Sequence, residues 1–446
     1  MKKRILALLL CAAMVVSMTA CGGGGSSDKS SDKKSEKTDS STKDGKTELT
    51  LLRLGDLTKA EPIFDPIVKS FEEANPDISV KFEAMAWAEA TTKLKLLGAQ
   101  GELPDVTFIN IANGWDLASE GYLMDLSELV ESDETLKSEI PQSVLDIATT
   151  DDGKMYWVPA ATGAFGLWYN KDLFKQAGLD PESPPKTMED MISYAKTITE
   201  KTGVPGLGWG ISATEDFANI VESFYSSYTG EDIWSDKDKC FTFEKNDKNR
   251  KLFAQALEEI AAITNDYGIT QSNVIEYNPY GIRTLFRDGE VAMYLDGVWA
   301  VKELLDELNK GDESKFNTGL FPEGPSGSHP VMGCDGWAIP EACKNKDEAW
   351  KLIQHLMSSD NQTRHASQWG LLPILESEKD KEEFSGQYWN AMIEQEQTVS
   401  SRPKDKNVAM IEQAIADASQ AAATRTMTPD EAMDSMIETV SSNYSE

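Results

Sequence analysis

Residues 48–111 read ELTLLRLGDLTKAEPIFDPIVKSFEEANPDISVKFEAMAWAEATTKLKLLGAQGELPDVTFINI. The run ELTLLRLGD is short and apolar and closes on Gly55-Asp56, as a buried strand ending in a turn does. EPIFDPIVKSFEEANP carries helical spacing and stops at Asn75-Pro76, because the residue before proline is pushed out of the helical region. DISVKFEAMAW alternates at Ile78, Val80 and Phe82 and predicts a second strand. WAEATTKLKLLGAQG reads as a helix closed by glycine, and DVTFINI as a third strand. Strand and helix in alternation predict an α/β fold with a largely parallel sheet and helices on its faces. Ligands in such folds gather beyond the carboxyl ends of the strands. Here those ends hold Gly55-Asp56, Trp87, and Asn110 to Trp115.

Further along, DGKMYWVPAATGAFGLWYNKDLF (152–174) changes character, with two aromatic-rich extended pieces around Pro159 and Gly163. Val158 to Phe165 reads as a passage out of one lobe, and FNTGLFPEG (316–324) as a return. FRDGEVAMYLDGVWAVKELL (286–305) gives a strand through Met293-Tyr294-Leu295, a bend at Asp296-Gly297, then a helix. HPVMGCDGWAIPEACKNKDEAWKLIQHLMSS returns a strand, a turn and a helix. The tail from Asn361 is mainly helical.

The amino end has a different composition. Lys2-Lys3-Arg4 precedes an apolar run from Ile5 to about Val16, the pattern of a secretory signal. Ser17-Met18-Thr19-Ala20-Cys21 resembles a bacterial lipoprotein processing site, with Met18 where leucine is commonest. That resemblance implies cleavage before Cys21 and a lipid on its thiol. GGGGSSDKSSDKKSEKTDSSTKDGK then runs to Lys46 without an aromatic or branched aliphatic residue, so it cannot bury a core and reads as a flexible tether. The chain carries a formal net charge of -32, and loss of the signal removes cations and makes it more acidic still. A nucleic-acid partner is therefore not expected. Of five cysteines, Cys11 leaves with the signal and Cys21 is lipidated, leaving Cys240, Cys334 and Cys343, an odd number. Neither their spacing nor the three histidines (His329, His355, His365) forms a metal-ligand pattern. No metal and no cofactor are expected.

Six segments carry a resemblance: FEEANPDISVKFEAMAW (71–87), GELPDVTFI (101–109), GYLMDLSELV (121–130), GKMYWVPAATGAFGLWYNKDLFKQAGLD (153–180), FRDGEVAMYLDGVWA (286–300) and GCDGWAIPEACKNKDEAWKLIQHLMSSDNQTRHASQWGLLP (333–373). In order and content they resemble the extracellular solute-binding proteins of sugar-importing ABC transporters, the maltose-binding-like group. The resemblance implies a two-lobed periplasmic-binding-protein-like fold of type II, each lobe a sheet flanked by helices, with a ligand cleft between. It implies capture of a carbohydrate, mono- or oligosaccharide, and delivery to membrane-embedded ABC permease subunits, without catalysis. The expected division is 1–20 signal peptide, 21–47 tether, 48–160 plus 318–360 first lobe, and 161–317 plus 361–446 second lobe. A monomer is expected, lipid-anchored at the extracellular face of a Gram-positive membrane.

A pyranose has an apolar face for an aromatic ring and a hydroxyl rim for planar acceptors and donors. Trp299 follows the DG turn, where a family tryptophan commonly stacks on sugar; Asp296 lies in the same turn and has helix capping as a rival role. Trp337 and Asp335 sit in GCDGW, with Gly336 allowing close backbone approach. Tyr169 and Trp168 point to opposite sides of an extended segment, so one should face the cleft and the other the core. Trp369 follows from its place in relatives; Asp56, Trp87, Asn113 and Trp115 lie beyond strand ends. Trp157 and Glu83 read as packing or surface residues, and Ala160 to Gly163 as hinge.

Two rival functions differ in class. A glycoside hydrolase needs two carboxylates about 5–5.5 or 6.5–9.5 Å apart, and no motif here fixes such a pair. Turnover of a chromogenic glycoside would mark that enzyme. A receptor for a peptide or polyamine would also use aromatics and acids, and binding to a solute panel separates it from a sugar receptor.

Overall fold

The computed structural model describes residues 45–150, 152–304 and 315–444. The signal segment, Cys21 and the tether through residue 44 lie outside the described residues. The strands are β1 (Thr47–Leu54), β2 (Ile78–Met85), β3 (Val106–Ile109), β4 (Val158–Asn170), β5 (Trp234–Ser235), β6 (Cys240–Phe241), β7 (Met293–Gly297), β8 (Phe316–Gly319) and β9 (Met332–Ala338). They form a sheet in the order β2-β1-β3-β9-β4-β7, with β8 also on β4, and a small β5-β6 pair. β1 is parallel to β2 and β3, but β9 runs antiparallel to β3 and β4, and β7 and β8 antiparallel to β4. The sheet is therefore mixed rather than largely parallel as expected, because the later strands are not joined by strand–helix–strand crossovers of one repeating unit.

The opening stretch folds as its pattern predicts. Leu49, Leu51, Leu52 and Leu54 are all buried, as expected of a strand covered on both faces. The helix Leu57–Ala74 turns Ala60, Ile63, Phe64, Ile67 and Phe71 inward, at helical spacing. It runs through Pro62 and Pro66. Each removes a helical hydrogen bond, so the buried face, rather than propensity, holds this helix. The helix Trp87–Gln100 ends at Gly101, whose left-handed φ of 70° suits a residue without Cβ.

β4 positions the site. Its first half, Val158–Ala164, pairs with β9; its second half, Phe165–Asn170, pairs with β7 and β8. The register shifts between Pro159 and Ala161, where proline has no N–H for the ladder. One strand thus joins two apolar cores. The first is built around Leu51, Phe64, Phe108, Trp157 and Trp337, and the second around Phe174, Phe217, Phe224, Leu257 and Ile415. The tail serves both: Ala366, Trp369, Trp389 and Met392 enter the first core, whereas the helices Val408–Ala423 and Pro429–Tyr444 enter the second. Cys240, Cys334 and Cys343 are free thiols.

Candidate functional site

At the carboxyl end of β1, Arg53 is buried rather than presented to solvent. Its guanidinium carbon lies 3.6 Å from the Phe108 ring centroid and 4.2 Å from that of Trp369. Its Nε donates to His365 Nε2 (3.2 Å), and Nη1 donates to the Leu54 carbonyl. Burial pulls Arg53 down to about 9, against the opposing field of Asp335, so it stays cationic at neutral pH. Burial and Arg53 hold His365 well below the ordinary histidine range, which leaves it neutral and able to accept. Trp369 lies against Gly55: a Cβ there would come within 2.4 Å of the indole, and the φ of 138° also demands glycine. Trp87, at the first turn of its helix, is 40% exposed and 5.9 Å from the Arg53 guanidinium. It is the open ring of the first lobe's site residues.

The crossing strands and the second core supply the facing groups. Trp299 is half-buried, edge-on to Phe165 at 5.3 Å. A Cβ on Gly297 would fall 2.1 Å from its ring and one on Gly163 3.1 Å from it, so these two glycines make room for the indole beside β4. Tyr280 is 51% exposed, with the Arg283 guanidinium 4.8 Å from its ring. Arg283 donates to Asp296 (2.8 Å) and Glu303 (2.6 Å). Arg402 donates to both oxygens of Glu412 (2.7 Å each) and to Glu215 (2.6 Å).

Two half-buried carboxylates sit among these cations. Asp335, on β9, is raised to about 7 by burial, opposed by Arg53 and Arg402. Asp216, in the first turn of the helix Glu215–Thr229, is raised to about 7 by burial, then by Glu215 and Asp296, opposed by Arg402 and Arg283. The field of Arg402 therefore reaches β9 of the first core and a helix start of the second core. Neither Asp216 nor Asp335 has a hydrogen-bond donor among the described residues. Both are free to accept from a ligand.

Several expected contacts are placed elsewhere. Trp168 and Tyr169 do point to opposite sides of β4, but both are fully buried, Trp168 in the first core and Tyr169 in the second. The expectation that one faces the cleft fails in this structure because both faces of the strand are covered. Trp337 packs edge-on to Phe108 (4.7 Å) and Phe64 (5.8 Å) in the first core. A Cβ on Gly336 would lie 2.1 Å from the Val158 carbonyl, so this glycine serves strand contact rather than ligand approach. Trp115 is buried edge-on to Trp157 (4.7 Å), and Asn113 is buried beside it. Asp296 is buried in its pair with Arg283 and also accepts from the Gly297 amide. Asp56 is exposed and caps its helix through the Thr58 amide (2.8 Å). Asp335, Trp87 and Trp299 keep accessible surface; Trp369 is buried, its ring 4.2 Å from the Arg53 guanidinium. The sequence reading missed Arg53, Asp216, Tyr280, Arg283 and Arg402. Arg53 lies in a run otherwise apolar, the one local signal among them.

Among the described residues no cluster of histidine, cysteine and carboxylate side chains is arranged to hold a metal ion, and no helix is long and apolar enough to cross a membrane.

Two cores joined by a shared strand, with accessible indoles and free carboxylates at the junction, define a two-lobed α/β binding protein of type II fold. Residues 66–394 match the profile of the bacterial extracellular solute-binding proteins, and the chain belongs to that family. A putative binding protein of Brucella abortus is 26% identical over 353 residues, covering 78% of this chain and 80% of its own. A galactooligosaccharide-binding protein of Bacillus subtilis is 25% identical over 412 residues, covering 90% and 91%. Among solved structures, an ABC transporter solute-binding protein of Thermotoga lettingae bound with α-D-tagatose superposes with a TM-score of 0.77 at 25% identity, covering 88% of this chain and 98% of its own.

Proposed function

We propose that this protein captures a carbohydrate outside the cell and delivers it to the permease of an ABC importer, without chemical change to the sugar. The observation that carries this reading is the pair of carboxylates without a hydrogen-bond donor among the described residues, Asp216 and Asp335, with the exposed Tyr280 ring within the field of Asp216 and the accessible Trp87 ring 5.9 Å from Arg53, whose field reaches Asp335. Rings supply faces for a pyranose, and the carboxylates accept from its hydroxyl rim without leaving a buried polar group unpaired. The sugar-binding names of several relatives support the same reading. We assign the first lobe to 48–160 plus 318–360, extended by Ala366 to Met392, and the second to 161–317 plus the tail from about Val408, with side chains from Ile282 to Leu304 and Phe316 also joining the first core. Ligand bound between the lobes draws them together. The mature chain is a monomer, held at the outer face of a Gram-positive membrane by a lipid on Cys21.

Free carboxylates also suit an ammonium group, so a polyamine receptor is the second reading. Calorimetric titration with mono- and oligosaccharides and with spermidine tests both. We expect reversible saccharide binding, no reducing sugar released, and a smaller radius of gyration by small-angle scattering at saturation. Spermidine binding without any saccharide binding overturns the sugar reading, and steady sugar release overturns the non-catalytic one.

A further inference from the structure

The charged groups of the candidate site differ in what they leave available. Arg283 is engaged by Asp296 and Glu303, and Arg402 by Glu412 and Glu215. Arg53 is buried under two aromatic rings and bonded to His365. Each cation that the site carbonyls and carboxylates surround is thus already held by this chain's own acceptors. Lys59 is exposed over the Trp369 ring (5.1 Å) and shares its surroundings with the Asp56 carboxylate. The acidic groups left free are acceptors: Asp335 on β9 and Asp216 at the helix start, both partly accessible and both without a donor among the described residues.

From this we infer that the site discriminates against acidic saccharides, taking sugars whose rim donates hydrogen bonds and carries no carboxylate, sulfate or phosphate. The inference rests on the sugar-binding reading and narrows it. A hydroxyl donates to a free carboxylate; an anionic substituent brings two like charges together, with the arginines of the described site already paired, and such a juxtaposition is strongly unfavourable where water is excluded. The engaged arginines do not relieve it, since turning one toward the ligand strips Asp296 or Glu412, both buried, of its partner. Rejection then comes from fixed carboxylates as much as from shape.

The test is calorimetry at pH 8.5, where Asp216 and Asp335 are ionised, on the folded, soluble mature protein with neutral di- and trisaccharides and with the same sugars oxidised at a terminal hydroxymethyl group to the uronate. We expect any neutral saccharide that binds to lose at least about tenfold in affinity on oxidation. Asp335→Asn and Asp216→Asn, each checked for folding by circular dichroism, should narrow that ratio, because each removes a charge and keeps a polar group in place. A uronate that binds as tightly as its neutral parent overturns the inference while the sugar reading stands. A ratio unchanged in both folded variants also overturns it. Absence of binding by every saccharide overturns the sugar reading and this inference together.

Discussion

Trp168 and Trp299 have the same side chain and opposite situations. Trp168 has no exposure, donates from Nε1 to the Asp296 carbonyl (3.1 Å), and packs near Phe316 (5.7 Å) and Tyr294 (6.3 Å). Trp299 keeps accessible surface and rests on two glycines. A partly desolvated ring at the centre of a binding site can be worth about 2 kcal/mol or more. Trp299→Ala should therefore weaken sugar binding by more than about tenfold, or ~1.4 kcal/mol, and Trp299→Phe should retain part of the affinity. Trp168→Ala should instead cost about 3–5 kcal/mol of ligand-free stability. Calorimetry and urea unfolding on each variant check the split; wild-type affinity in folded Trp299→Ala would remove the ring from the site. Local sequence could not make this distinction. An aromatic at a strand or turn looks alike whether its second face meets solvent or another layer.

The helix Glu215–Thr229 is buried on every side from Phe217 onward, including Asn219, Glu222, Ser223 and Ser226. Both oxygens of Glu222 lack partners in the described structure, and burial, then the neighbouring Glu412, push this carboxyl well above its usual range. Glu412 is itself raised to about 7 by burial despite Arg402, and Glu396, bonded by Thr162 (2.7 Å), is raised to about 7 by burial. Asp216 and Asp335 move the same way. A carboxyl whose folded pKa lies above its unfolded value, about 4, leaves the folded state holding more protons across that window. Its contribution is thus fully present below about pH 4 and lost as pH rises through about 7. The depressed His365 and His355 act in the opposite sense below about pH 6.5, but five carboxyls oppose them. Ligand-free protein should accordingly be more stable to urea at pH 5 than at pH 8, by more than about 1 kcal/mol. Glu222→Gln should flatten that slope. Stability that rises steadily from pH 5 to 8 would contradict the upward shift of these carboxyls.

For the whole molecule, the proposed signal and the Gly/Ser stretch after Cys21 carry a prediction about anchoring. Cys21→Ala should move the protein from the membrane fraction to the medium and remove a lipid mass from the mature chain. One acyl chain binds a membrane only marginally, so the lost mass should correspond to more than one. Retention on the membrane with unchanged mass would refute the anchor. The sequence by itself determined the elements and their class: the alternation of β1, its helix and β2, the breaks at Asn75-Pro76 and Gly101, and the family resemblance, because periodicity, caps and breakers act within a few residues. It also flagged Asp335, Trp87 and Trp299. Only the tertiary structure decided that Trp168, Tyr169 and Trp337 are core, since burial depends on the layers that cover both faces of a strand. It alone brought Arg402 within electrostatic reach of both Asp216 and Asp335, and Arg53 within reach of Asp335, from four separate parts of the chain. Their role comes from desolvation and mutual charge, which exist only once the two cores are packed around β4.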